Sequence, residues 1–146
     1  MKMLVCTDGS EQSQKAVQEA VRIADNFKSV EVTVLYVYEA VATPAYSRGR
    51  GDIPEEVLLR YEGLSEKAGQ EILESAAAEF KAKGINCEIL IKKGYPSDVI
   101  IEEAAEGGYD MAVMGSRGLG GLRRLLLGSV SNAVAQQAKT NVLIIK

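Results

Sequence analysis

Met3-Leu-Val-Cys6-Thr7-Asp8-Gly9-Ser10 is the stretch on which the fold reading turns: four apolar residues with no polar alternate, then a short turn, then a helical pattern. A strand that is apolar on both faces has to be covered on both faces, which is the situation of a strand inside a parallel sheet. Directly downstream, Val17, Ala20, Val21, Ala24 and Phe27 recur at spacings of three or four and form one apolar stripe, while Glu11, Lys15, Gln18 and Arg22 face elsewhere. Ser10 or Asp8 supplies the cap at the start of that helix. The chain therefore opens with a buried strand feeding an amphipathic helix.

The same alternation continues to the end of the chain. Val30 to Tyr38 (VEVTVLYVY) is rich in β-branched and aromatic residues and predicts a second strand, Ile85 to Ile91 a third, Asp110 to Met114 a fourth and Asn141 to Ile145 a fifth. Between them, Asp52-Ile-Pro54-Glu55 has the residues of a helix start. That helix runs on to Lys83 before Gly84, with Gly63 and Gly69 as points where it is expected to kink. Pro96 to Ala105 predicts another helix, with Val99, Ile100 and Ala104 inward, and Leu125 to Ala138 the last. Glu39 to Asp52, with Pro44, Gly49 and Gly51, has no periodicity and is expected to be a loop of the length that is commonly functional. Five strands alternating with four helices predict an α/β fold: one doubly wound parallel sheet, Rossmann-like, with helices on both faces and strand order 3-2-1-4-5. With no repeat or linker, residues 1–146 are expected to form a single domain.

Composition narrows the function classes. The chain is 47% hydrophobic and 25% charged, and no apolar run approaches the roughly 18 residues of a membrane span. The N-terminus becomes strand-like at once without a basic stretch and apolar signal core, so a cytoplasmic protein is expected. A net charge of −3 with no long basic run argues against nucleic acid as a partner. Cys6 and Cys87 fall in different strands and in no metal-ligand spacing. In the predicted order a third strand separates them, about 9–10 Å apart at ~4.8 Å per strand and beyond disulfide reach. Histidine is absent, which excludes a His-dependent nucleophile triad.

Ligands of open α/β sheets bind beyond the carboxyl ends of the strands, where the winding reverses. Two strand ends here are unusual. The first carries Asp8; the second runs from Gly115 to Ser131 and includes Gly118, Gly120, Gly121 and Gly128. Small residues let backbone N–H groups approach an anion, and Gly128-Ser129 opens a helix whose positive end favours phosphate. The hydroxyls of Ser129 and Ser131 are candidate further donors, and Arg117, Arg123 and Arg124 candidate counter-charges. The loop has neither the GxxxxGK[ST] nor the GxGxxG spacing.

The spacing Gly115-x2-Gly118-x9-Gly128-Ser129 resembles the ATP-binding signature of the universal stress protein family. The likeness extends over nearly the whole chain, through Thr7-Asp8-Gly9-Ser10-Glu11, Leu35-Tyr-Val37, Met114-Gly-Ser-Arg-Gly118, Leu127-Gly-Ser-Val130 and Asn141-Val-Leu-Ile-Ile145. What the resemblance implies is an adenine nucleotide alpha hydrolase-like fold that binds ATP, or AMP or ADP, with Mg²⁺. It implies that Asp8 meets the ribose or adenine side, that Val37 packs on adenine and that Met114 lines the same pocket. Gly115, Gly118, Gly128, Ser129, Val130 and Ser131 match ribose- and phosphate-contacting positions. Thr7 and Cys6 border the site, Cys6 standing where many relatives carry proline. The resemblance also implies a homodimer through residues 141–145. The resulting expectation is a nucleotide-dependent regulatory module in stress response, with unknown protein partners. The alternatives are a slow ATPase or phosphotransferase, for which no catalytic base is recognisable, and a structural homodimer with a vestigial nucleotide site.

Overall fold

In the computed structural model, which describes residues 1–39, 55–119 and 127–146, β1 (Lys2–Cys6), α1 (Glu11–Ala24), β2 (Glu31–Tyr38), α2 (Glu55–Lys81), β3 (Cys87–Lys93), α3 (Pro96–Glu106), β4 (Met111–Gly115), α4 (Ser129–Gln137) and β5 (Asn141–Ile145) follow in that order. The strands form one parallel sheet in the order β3-β2-β1-β4-β5, as the alternation of elements predicts. β1 lies at the centre, with Leu4 beside Thr33 on one side and Ala112 on the other. Met3, Leu4 and Val5 have no exposed surface, which is why no polar residue alternates there.

The period-two alternation of strand side chains divides the core into two layers. Met3, Val5, Val32, Val34 and Val113 pack with Val17, Ala20 and Val21 of α1 and Leu73, Ala76 and Phe80 of α2. Leu4, Cys6, Leu35, Ala112 and Met114 turn to the opposite face and pack with Ile100 and Ala104 of α3 and Val134 of α4. The winding reverses between β1 and β4, so their carboxyl ends flank the crevice where a ligand is received in folds of this type.

Several expectations shift in detail. β3 begins and ends two residues later than predicted, taking in Lys92 and Lys93, charges that an edge strand tolerates because one of its flanks is open. α2 runs from Glu55 to Lys81 as one helix and is not interrupted at its glycines. Gly69 is buried and lies against the Tyr36 ring, where a Cβ has no room, whereas a Cβ on Gly63 would meet none of the described residues. Phe27 lies beyond the α1 C-cap, Asp25, and is half exposed, so it does not extend the buried stripe. The predicted loop beyond Glu39, the Asp52–Pro54 helix start, Gly120, Gly121, Arg123 and Arg124 lie outside the described residues. Among the described residues no helix is long and apolar enough to cross a membrane.

Candidate functional site

At the end of β1 the chain turns sharply into α1. Gly9 has φ +78°, the left-handed region that favours glycine. Asp8 Oδ1 accepts the Ser10 N–H at 3.0 Å, an Asx turn, and Ser10 Oγ accepts the Ser13 N–H at 3.2 Å, so Ser10 rather than Asp8 caps α1. The Thr7 and Ser13 hydroxyls lie 3.1 Å apart below this turn, both buried. The cap amide of Ser10 and the Ser13 amide in the first turn of α1 are thus engaged internally.

The end of β4 is crowded for a different reason. A Cβ on Gly115 would stand 2.7 Å from the Gln12 carbonyl carbon and 2.9 Å from the Ser13 nitrogen. Gly115 is therefore glycine because the first turn of α1 packs on it, not to admit a ligand. Beyond it, the Ser116 N–H donates to the Ile145 carbonyl at 2.7 Å, and the Ser116 carbonyl accepts from the Gly128 N–H at 2.7 Å and from Ser131 Oγ at 2.8 Å. Ser131 Oγ also lies 3.1 Å from the Gly128 carbonyl, and the residue is 2% exposed. A hydroxyl has one proton, and two carbonyls face this one. Ser131 thus joins the two ends of the glycine loop.

α4 begins without any such provision. Gly128 is its N-cap and makes no side-chain cap, so among the described residues the amides of Ser129, Val130 and Ser131 have neither an intrahelical acceptor nor a capping side chain. These four residues line a cavity of about 720 Å³ at the carboxyl end of the sheet. A volume of that size is within the roughly 300–1,000 Å³ of small-molecule sites. Cys6, Thr7, Asp8, Val37, Met114, Gly115, Arg117 and Gly118 line the same cavity, so twelve of the residues singled out in the sequence are brought together. Burial holds the Cys6 thiol protonated, its pKa pushed up to about 12, which makes it a piece of apolar wall and not a nucleophile.

Leu35, Pro96, Ile100 and Leu127 also line the cavity and were not anticipated. The signal for two of them was present in the pairing logic: Leu35 is the register partner of Cys6 and shares its face, and Ile100 sits on the helix that covers that face. The resulting enclosure is polar at the start of α4 and apolar along Cys6, Leu35, Val37, Ile100 and Met114. Asp8 is the carboxylate and Arg117 the cation among its described lining residues. Among the described residues no three Cys, Asp or Glu side chains gather in a way that could hold a metal ion.

Fold and cavity together define a class: an open, doubly wound α/β protein with a small-molecule cavity at its topological switch point and an uncapped helix N-terminus facing into it. The comparisons narrow the class. A family model of the Universal stress protein family matches residues 1–146, and the chain belongs to that family. It is 38% identical to the universal stress protein YxiE of Bacillus subtilis over 146 residues, covering 99% of this chain and 98% of that one. Among solved structures it is similar to the hypothetical protein MJ0577, with a TM-score of 0.83 and 29% identity, covering 99% of this chain and 94% of that one. It is also similar to a universal stress protein solved in complex with cAMP, with a TM-score of 0.73 and 30% identity, covering 100% of this chain and 97% of that one.

Proposed function

We propose that residues 1–146 act as one nucleotide-binding domain whose cavity takes an adenine nucleotide, ATP in the first instance, and that occupancy regulates a surface read by other proteins. The observation that carries the reading is the uncapped start of α4, which opens into a cavity whose remaining wall is largely apolar. Free amides and a helix dipole suit phosphate at one end, and the Val37 and Met114 surfaces suit a planar base at the other. Asp8, between them, is an acceptor for ribose hydroxyls. The similar protein solved with cAMP supports an adenine nucleotide as the ligand class.

Mg²⁺ fits here only as a passenger. Asp8 already accepts two backbone N–H groups, from Ser10 and Leu119, so the described lining offers no carboxylate cage, and the ion would be held through phosphate oxygens and water. The same engagement of Asp8 favours binding over turnover, since hydrolysis needs a group to orient water or take its proton. β5 supports a homodimer. It is an edge strand whose Val142, Leu143, Ile144 and Ile145 are only partly buried, with no charge before Lys146.

The test is mass spectrometry of the nucleotide released when freshly purified protein is denatured, followed by calorimetric titration of the stripped, refolded protein with ATP and Mg²⁺. Intact ATP and saturable heat are expected. Recovery of ADP alone shifts the reading to a slow ATPase. Absence of saturation with ATP, ADP and AMP at millimolar concentration refutes the nucleotide site.

A further inference from the structure

The mouth of the cavity holds one contact that the helix dipole does not explain. Asp8 Oδ2 accepts the Leu119 N–H at 3.1 Å, across 111 residues of sequence, while Oδ1 holds the Ser10 N–H. A Cβ built on Gly118 would collide with that same Oδ2, and among the described residues nothing except the Asp8 carboxylate crowds it. Gly118 does not have a positive φ, so its backbone conformation does not require glycine. From this geometry we propose that Asp8 is the positioning residue of the glycine loop: its carboxylate clamps the Gly118–Leu119 segment onto the β1–α1 turn, and Gly118 is glycine in order to admit that carboxylate.

The chemistry supports a clamp formed ahead of any ligand. A carboxylate accepting backbone N–H groups makes hydrogen bonds roughly twice as strong as neutral ones. Two oxygens provide about four lone-pair sites, of which two are occupied here, so Asp8 has capacity left for a ligand hydroxyl without releasing the loop. A loop start held in place before binding lowers the ordering cost of binding. This last consequence rests on the nucleotide reading above; the clamp itself does not.

The experiment therefore has two arms. On nucleotide-free protein, amide exchange measured by NMR should show Leu119 exchanging about tenfold faster in Asp8→Ala than in the wild type, the effect of losing one strong hydrogen bond. In a double-mutant cycle read by thermal unfolding, Gly118→Ala should lower Tm in the wild type and lower it by less than about half as much on Asp8→Ala, where the colliding carboxylate is gone. If Asp8→Ala does not fold, Asp8→Asn serves, because its single carbonyl oxygen can hold Ser10 or Leu119 but not both, and one of the two amides should lose protection. Unchanged exchange at both amides, or strictly additive Tm losses, overturns the clamp.

In the second arm, titration with adenosine and with ATP separates positioning from simple contact. Asp8→Ala should weaken ATP by a larger factor than adenosine, because the loop that precedes the phosphate-facing helix is released; an equal factor for both reduces Asp8 to a nucleoside contact. A wild-type protein that binds neither probe refutes the nucleotide site and leaves the exchange arm to judge the clamp.

Discussion

Ser131→Ala distinguishes a loop tie from a ligand contact because the two roles predict opposite patterns. The hydroxyl bonds the Ser116 carbonyl at 2.8 Å in a residue only 2% exposed. Removing it does not orphan that carbonyl, which still accepts the Gly128 N–H at 2.7 Å. The loss is therefore that of one neutral hydrogen bond, about 1 kcal/mol, and not the larger penalty of an unsatisfied buried group. For a chain of about this length, ~1 kcal/mol lowers Tm by roughly 2–4 °C. If the same hydroxyl instead donated to a bound phosphate, the bond to a charged acceptor would be worth about 1.5–3 kcal/mol, or roughly 10- to 150-fold in affinity, and the nucleotide-free protein would lose nothing. Scanning calorimetry of the stripped variant and isothermal titration with ATP give both quantities. An unchanged Tm accompanied by a tenfold or greater loss of affinity refutes the loop-tie assignment.

Other positions give sharp expectations. Gly63→Ala and Gly69→Ala make the same chemical change in one helix with opposite sign: the first meets none of the described residues and should stabilise by up to about 1 kcal/mol, while the second drives a methyl into the Tyr36 ring and should destabilise by about 1–3 kcal/mol. Urea unfolding of the pair reads both, and equal signs would contradict the packing described. Gly115→Ala places a methyl against the rigid backbone of Gln12 and Ser13 and should cost more stability than Gly128→Ala, whose nearest described neighbour stands at 3.4 Å. The same unfolding measurement on these two variants checks the order. Iodoacetamide at about pH 8 should label Cys87 before Cys6 on the folded protein, since the thiolate is the reacting species, Cys87 is only partly buried, and burial pushes Cys6 up to about 12. Peptide mass mapping that finds Cys6 labelled first would overturn that order.

What could be read from the sequence follows from what is local. The uniformly apolar Met3-Leu-Val-Cys6 run shows a doubly covered strand because helices pack on both faces of the sheet and demand the same property of every residue. The Ser10 cap of α1, the strand count and the position of the glycine loop after β4 are short-range features of the same kind. Boundaries at the sheet edge are not, because Lys92 and Lys93 continue β3 through pairing with Val37 and Tyr38, which no local pattern records. The glycines make the limit plainest. A sequence displays that a residue is small without displaying what it is small for, and the cause lies in atoms contributed from elsewhere in the chain. Gly115 is confined by the backbone of Gln12, Gly69 by the ring of Tyr36 and Gly118 by the carboxylate of Asp8, while a Cβ on Gly128 would meet no described atom closer than 3.4 Å. Of the glycines in the loop signature that can be described, Gly128 is thus the one at which a Cβ would meet only ordinary van der Waals contact with described atoms. An anion is accordingly met by Gly128 and the amides that follow it, and Gly115 and Gly118 serve to bring β1, α1 and β4 close enough for those amides to face the same cavity as Asp8.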